Sequence, residues 1–316
     1  MTARGVGGPG VSLRSSAVSQ PAEVLELPSR RSPARAALVS LRPRQWSKNL
    51  LLFAGIVFAA KLGDAGRWAD AVAAFAAYCA ASSAGYLVND VLDADDDRRH
   101  PVKRSRPIAR GELSTRPALA LAAVLAVAAF AIVGVLGAWS PLYLAGFLAL
   151  QTAYSLRLKH LVIVDVMTIG ALFVIRAAAG AEAVDVRISP WLLLCTALLA
   201  LFLGLAKRRG ELTLVGARAT PGRPVLEGYS LAVVDQLVSV VAASTVIAYS
   251  LYTFTAHSRA MMVTIPFVLF GVLRYLVLVH RDDLGEEPEH VLLSDAPILG
   301  CIALWAVTSA IVLSVT

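Results

Sequence analysis

Asn89-Asp90-Val91-Leu92-Asp93-Ala94-Asp95-Asp96-Asp97-Arg98-Arg99-His100-Pro101 decides how this chain is read. The stretch continues an apolar run over residues 69–92 and meets no helix-stopping residue before Pro101. A helix carried through it turns about 100° per residue, which puts Asp90, Asp93 and Asp97 within about 60° of arc, with Asn89 beside them. A span-length apolar segment therefore ends in a stack of carboxylates on one face.

The rest of the chain explains why that stack is exceptional. Of 316 residues, 57% are apolar and 16% charged, and the mean hydropathy is +0.68. Soluble domains average about 45–50% apolar and about 25% charged, so the composition points to a polytopic helical membrane protein. Twenty-two glycines without a period and three cysteines fit neither a fibrous nor a disulfide-stapled class. Cys79, Cys195 and Cys301 lie inside apolar stretches, and the five histidines have no ligand-like spacing; no zinc or iron site is expected.

Nine apolar segments are expected, over about residues 47–62, 69–92, 117–138, 140–156, 161–181, 189–206, 230–254, 260–280 and 294–315. Residues 1–35, rich in Gly, Ser, Pro and Arg, read as a disordered cytoplasmic tail, and 36–316 as one transmembrane catalytic domain. With the N-terminus inside, fifteen basic residues fall in inside loops (Arg98, Arg99, Lys103, Arg104, Arg106, Arg110, Arg116, Arg157, Lys159, Lys207, Arg208, Arg209, Arg218, Arg223 and Arg281). Four fall outside: Lys61, Arg67, Arg187 and Arg259. The positive-inside rule then sets the N-terminus in and the C-terminus out. The net charge of +7 belongs to those loops, not to nucleic-acid binding.

Aspartate at mid-bilayer costs about 2.5–3.5 kcal/mol, and like charges at helical spacing repel. A cation must offset the stack. Hard divalent ions take oxygen ligands, and Mg²⁺ typically joins one or two carboxylates to substrate phosphates. Asp95 and Asp96 read more simply as a solvated cap. The basic loop behind them, Arg98, Arg99, Lys103, Arg104 and Arg106, is suited to gripping phosphate oxygens.

Asn-Asp-x-x-Asp-x-x-x-Asp at 89–97, followed by Lys103-Arg104-x-Arg106-Pro107-Ile108, resembles the first motif of the UbiA superfamily of intramembrane prenyltransferases. The resemblance implies an all-α, nine-helix bundle with a cytoplasm-facing cavity, in which Asn89, Asp90, Asp93 and Asp97 bind a Mg²⁺-diphosphate. The family's second motif, DxxxD after the sixth helix, is replaced here by Lys207-Arg208-Arg209-Gly210-Glu211. Three cations there are suited to holding further phosphate directly.

Other segments resemble one branch of that superfamily, the decaprenyl-phosphate phosphoribosyltransferases. They are Arg42-Pro43-Arg44-Gln45-Trp46-Ser47-Lys48-Asn49, Tyr154-Ser155-Leu156-Arg157-Leu158-Lys159-His160, Ile175-Arg176-Ala177, Leu226-Glu227-Gly228-Tyr229 and Gly285-Glu286-Glu287-Pro288-Glu289. The branch implies transfer of 5-phosphoribose from phosphoribosyl pyrophosphate to a polyprenyl phosphate in the inner membrane, with release of pyrophosphate, for cell-wall arabinan synthesis. A homo-oligomer is compatible with it. Three substrate phosphate groups need more cations than one diphosphate does, and Arg44, Lys48, Lys159 and Lys207–Arg209 are the candidates, with Tyr154 and Arg176 as further substrate contacts.

In the mechanism expected on that basis, Mg²⁺ on Asn89, Asp93 and Asp97 polarises the leaving pyrophosphate, and Asp90 or Asp165 stabilises an oxocarbenium-like ribose. The phosphate acceptor loses its second proton near pH 6 and needs no dedicated base. Two other classes compete: a true prenyltransferase moving an isoprenoid to a small acceptor, and a transporter using the acidic stack as a cation path. The transporter reading is weakened by the position of the charges at one end of the helices, not at mid-bilayer.

Overall fold

The computed structural model describes residues 2, 30–58, 63–99, 103–187, 189–215, 224–255, 259–281, 291–292 and 294–315. The chain divides into two units, Met1–Arg30 and Arg31–Thr316. Most of the expected tail, the Gly285–Glu289 segment, and Lys61, His100, Pro101, Arg218 and Arg223 lie outside the described residues.

The second unit is helical throughout, with no strand among the described residues. Its α-helices are α1 (Pro33–Ser40), α2 (Ala54–Phe58), α3 (Ala65–Leu92), α4 (Ala94–Arg99), α5 (Thr115–Val133), α6 (Ser140–Leu156), α7 (Val164–Ala183), α8 (Pro190–Val215), α9 (Leu231–Thr255), α10 (Ile265–Arg281) and α11 (Ala296–Val315). Among the described residues six helical stretches, at Ala65–Leu92, Thr115–Val133, Val164–Ala183, Pro190–Thr213, Leu231–Thr255 and Arg259–Arg281, are long and apolar enough to cross a membrane. Their outward faces carry large apolar side chains, such as Val124, Val127 and Phe130 on α5 and Val240, Ile247 and Leu251 on α9. Such faces suit lipid.

Among the described residues the two largest of four apolar cores divide the bundle. Leu52, Ala74, Ala77, Tyr78, Val133, Leu144 and Phe147 build the first, from α3, α5, α6 and the chain before α2. Phe202, Leu205, Val234, Val238, Tyr275 and Val279 build the second, from α8, α9 and α10. Helix α7 joins them, giving Val166 to the second core and Leu172, Ala179 and Ala183 to the first. Small residues let backbones approach where helices cross in a membrane. At Gly180 a Cβ would stand 2.0 Å from the carbonyl oxygen of Leu52.

Within the first apolar segment Pro43–Phe53 is 3-10 helix and Ala54–Phe58 is α2, and residues 59–62 lie outside the described residues. Docking onto α3 governs the 3-10 stretch, because Trp46 Nε1 donates to Ser83 Oγ (3.1 Å) and Asn49 is fully buried against Cys79 and Ser82. One expectation is corrected: the helix through the acidic stretch is not continuous to Pro101 but is interrupted at Asp93 (φ −91°, ψ 7°), between α3 and α4.

Candidate active site

The interruption does not scatter the acidic stack. Asp93 N still donates to Asn89 O (2.9 Å) and Asp97 N to Asp93 O (2.8 Å), so residues 89, 93 and 97 keep the four-residue helical step across the break. Asn89 Nδ2 donates to Asp93 Oδ2 at 3.0 Å. Asp90 and Asp97 are each 2% exposed. Carboxylates so buried need charge-assisted partners. Arg106 Nη1 supplies one to both, at 3.1 Å from Asp90 Oδ1 and 2.6 Å from Asp97 Oδ2. A second guanidinium, Arg42, reaches Asp90 Oδ1 at 2.5 Å.

Asp93 is the accessible member, with its side chain 26% exposed. Lys159 Nζ lies 3.0 and 3.1 Å from its two oxygens. That ammonium arrives on the 3-10 turn Leu158–His160 between α6 and α7, so elements 66 residues apart in sequence meet at one carboxylate. Arg42 is not among the residues that the sequence assigns to the site, although its segment carries the resemblance. The one local signal is its place immediately before Pro43, where helix is disfavoured. Its φ of 53° swings the side chain back across Tyr86 (4.8 Å to the ring centre) to Asp90.

A second, sealed cluster lies one helix away. Asp165 is fully buried on the first turn of α7. Arg208 Nε donates to its Oδ2 at 2.7 Å, and Tyr229 Oη to its Oδ1 at 2.8 Å. Arg208 Nη1 reaches Glu211 Oε2 at 2.6 Å. Burial first, and then the bond to Asp165, push the Tyr229 phenol up to about 12; it stays neutral and donates throughout the physiological range. Tyr229 also accepts a bond from Ile163 N at 2.7 Å.

The residues of the altered second motif thus face separate partners. Arg208 turns to Asp165 and Glu211, while Arg209 turns away to Asp235 Oδ1 (2.8 Å) and Val279 O (2.8 Å). Lys207 is half-buried on the same turn of α8. Arg176, placed among the substrate contacts by sequence, is 5% exposed and holds Asn49 Oδ1 at 2.8 Å, with the rings of Phe147 and Phe173 at 4.7 and 5.2 Å. Arg98 pairs with Asp95 and donates to Ala109 O, so it does not join the stack. Arg44 and Arg104 are exposed, and Lys48, Lys103 and Tyr154 are half-buried.

Among the described residues no three His, Cys, Asp or Glu side chains converge to hold a metal by themselves. The donor chemistry nonetheless fits a hard divalent cation. Asn89, Asp93 and Asp97 offer oxygens in order along one face, and the cations now touching them, Lys159 and Arg106, are more than a fifth exposed and can turn to phosphate. Asp90, paired with Arg42 and Arg106, completes a cluster of alternating sign.

Membrane-length helices with a carboxylate–amide face and basic side chains gathered at their ends describe an integral-membrane protein with a charged, polar site. Residues 50–295 match the UbiA prenyltransferase family, and the chain belongs to it. It is 35% identical over 283 residues to a decaprenyl-phosphate phosphoribosyltransferase of Mycolicibacterium smegmatis, covering 84% of this chain and 88% of that one. A decaprenyl-phosphate phosphoribosyltransferase of Mycobacterium tuberculosis is 36% identical over 285 residues, covering 85% and 91%. The fold is shared with a UbiA homologue from Archaeoglobus fulgidus solved with DMAPP and Mg²⁺, at a TM-score of 0.69 and 19% identity, over 89% of this chain and all of that one.

Proposed function

We propose that this protein transfers 5-phosphoribose from phosphoribosyl pyrophosphate to a polyprenyl phosphate, with release of pyrophosphate. The observation that carries the reading is identity of 35–36% to decaprenyl-phosphate phosphoribosyltransferases over 84–85% of this chain. In this reading the nine segments all span, adding residues 47–62, α6 and α11 to the six long stretches. The N-terminus is cytoplasmic and the C-terminus outside, and the ends of α3, α6 and α8, where Asp93, Lys159 and Arg208 meet their partners, face the cytosol of a cell inner membrane. Residues 36–316 form the catalytic unit.

Asn89, Asp93 and Asp97 would hold Mg²⁺, which when bound neutralises charge on the departing pyrophosphate. Lys159 and Arg106 exchange their carboxylate partners for phosphate oxygens, so that binding energy is drawn from cations already oriented by the fold. Arg42 stays on Asp90 and fixes that carboxylate beside the stack. Stabilisation of an electron-poor ribose carbon falls to Asp90, not Asp165, because both oxygens of Asp165 are engaged in a sealed site. The acceptor phosphate is a dianion near neutral pH and attacks without a protein base.

Membranes carrying the protein are incubated with ribose-labelled phosphoribosyl pyrophosphate, decaprenyl phosphate and Mg²⁺, then extracted into organic solvent. The reading expects label in the lipid phase. Label confined to water, with transfer of an isoprenoid from a labelled prenyl diphosphate to a small acceptor, would overturn it.

A further inference from the structure

The loop that delivers Lys159 contains the most strained residue of the site. Ile163 sits at φ 68°, ψ −44° immediately before α7. That region, close to the conformation of a γ-turn with positive φ, is rare for any residue and an outlier for a β-branched one. Strained backbone persists only where surrounding structure over-determines it. Here the restraints can be traced. Ile163 N donates to Tyr229 Oη, the same phenol donates to Asp165 Oδ1, and Arg208 holds Asp165 Oδ2. Beside Tyr229, Gly228 leaves room for the loop: a Cβ there would stand 2.4 Å from Val162 Cγ2. Helix α8, through Arg208, and the segment Gly228–Tyr229 therefore grip residues 162–165.

We infer that Tyr229 is a positioning residue for the reaction: its phenol, backed by Asp165 and Arg208, latches Ile163 in the strained conformation and so holds Lys159 against Asp93. Three residues separate Ile163 from Lys159, and the intervening backbone is fixed by His160 N to Arg157 O (3.1 Å) and Leu161 N to Leu158 O (3.2 Å). Released, Ile163 relaxes toward ordinary φ values and the turn carrying Lys159 swings off the carboxylate. The cluster standing where the family's second acidic motif is expected then acts on the site through the loop, without touching substrate. The inference rests on the proposed transfer reaction only for its activity readout.

Ile163→Gly separates latch from scaffold, because glycine adopts this φ without steric cost. Tyr229→Phe keeps the ring and removes both hydrogen bonds. We expect Tyr229→Phe alone to raise the KM for phosphoribosyl pyrophosphate by about tenfold or more, as release of one strained residue implies. Ile163→Gly alone stays within about threefold of the parent, and adding Tyr229→Phe to Ile163→Gly costs far less than adding it to the native chain. Equal losses in both backgrounds would overturn the inference, since a merely structural tyrosine has no reason to depend on residue 163. A nitroxide at Leu161, exposed at 50%, gives a readout without substrate. Its spectrum should be immobilised in the parent and in Ile163→Gly, and mobile in Tyr229→Phe. A mobile label in the parent overturns the latch even where Tyr229→Phe does not fold. An immobilised parent label with no labelled lipid formed faults the proposed reaction instead.

Discussion

Each of the two acidic clusters sets an aspartate against a basic side chain, lysine at Asp93 and arginine at Asp165, and they differ most in access. At Asp93 the carboxylate and its lysine are 26% and 23% exposed, whereas Asp165 and Arg208 are 0% and 3% exposed. Both satisfy the rule that a buried charge is paired. Only the first is open to solvent, and in the proposed reading it is the one that trades its partner for a phosphate. An aspartate–cation pair near a membrane surface therefore does not declare its role by composition; the packing around it does. Asp90 and Asp97 stand between these limits, buried themselves but tied to a guanidinium that is 23% exposed.

Breaking the sealed cluster should give the largest effect. Arg208→Ala leaves Asp165 and Glu211 charged without their shared cation, and removing one partner of a buried pair typically costs about 3–5 kcal/mol. Thermal unfolding in detergent should show a loss of many degrees or no folded protein. An unchanged Tm would mean that the pair is dispensable and the contrast with Asp93 is false.

Removing the accessible cation should do the reverse. Lys159→Met is expected to leave Tm within about two degrees, since exposed pairs contribute about 0–1 kcal/mol. It should lower kcat/KM by about a hundredfold, the scale of one charged contact to a reacting phosphate. Steady-state kinetics beside thermal unfolding checks both halves.

The smallest effect is set at a third pair, on the rim of the bundle. Asp295 accepts from Arg274 Nη2 (2.8 Å) and from Ile298 N at the start of α11 (2.9 Å). The two side chains are 35% and 12% exposed, closer to an exposed ion pair than to the sealed one, and exposed pairs contribute about 0–1 kcal/mol. Asp295→Asn should therefore lower Tm in detergent by only about one or two degrees. A loss as large as that of Arg208→Ala would contradict the ranking by access.

Much of this was legible in the sequence. Membrane class followed from composition, and the order of Asn89, Asp93 and Asp97 along one face followed from helical spacing, which survives the turn at Asp93 because the backbone bonds bridge it. Other features were not, for physical reasons. The 3-10 path of Pro43–Phe53 is imposed by Trp46 and Asn49 docking on α3, a tertiary effect that local propensity does not carry. Arg208 and Arg209 are neighbours in sequence but turn to Asp165 and Asp235 on different helices. A run of cations reads as one patch until the fold divides it. Tyr229 stands in the sequence only as the last residue of the Leu226–Tyr229 resemblance, and its bond to Ile163 N depends on a backbone angle that no pattern of residue types encodes.

The account stands most directly on Asp93 as the exchanging carboxylate. Ribosyl transfer into decaprenyl phosphate is measured in purified wild type and Asp93→Asn at saturating substrates, across a Mg²⁺ titration that begins in chelator. The wild type should be inactive in chelator and rise to saturation with Mg²⁺. Asp93→Asn, folded with an unchanged Tm, should remain at least about a hundredfold below it at every concentration. Transfer that persists in chelator, or a variant within a few-fold of the wild type, would contradict the account.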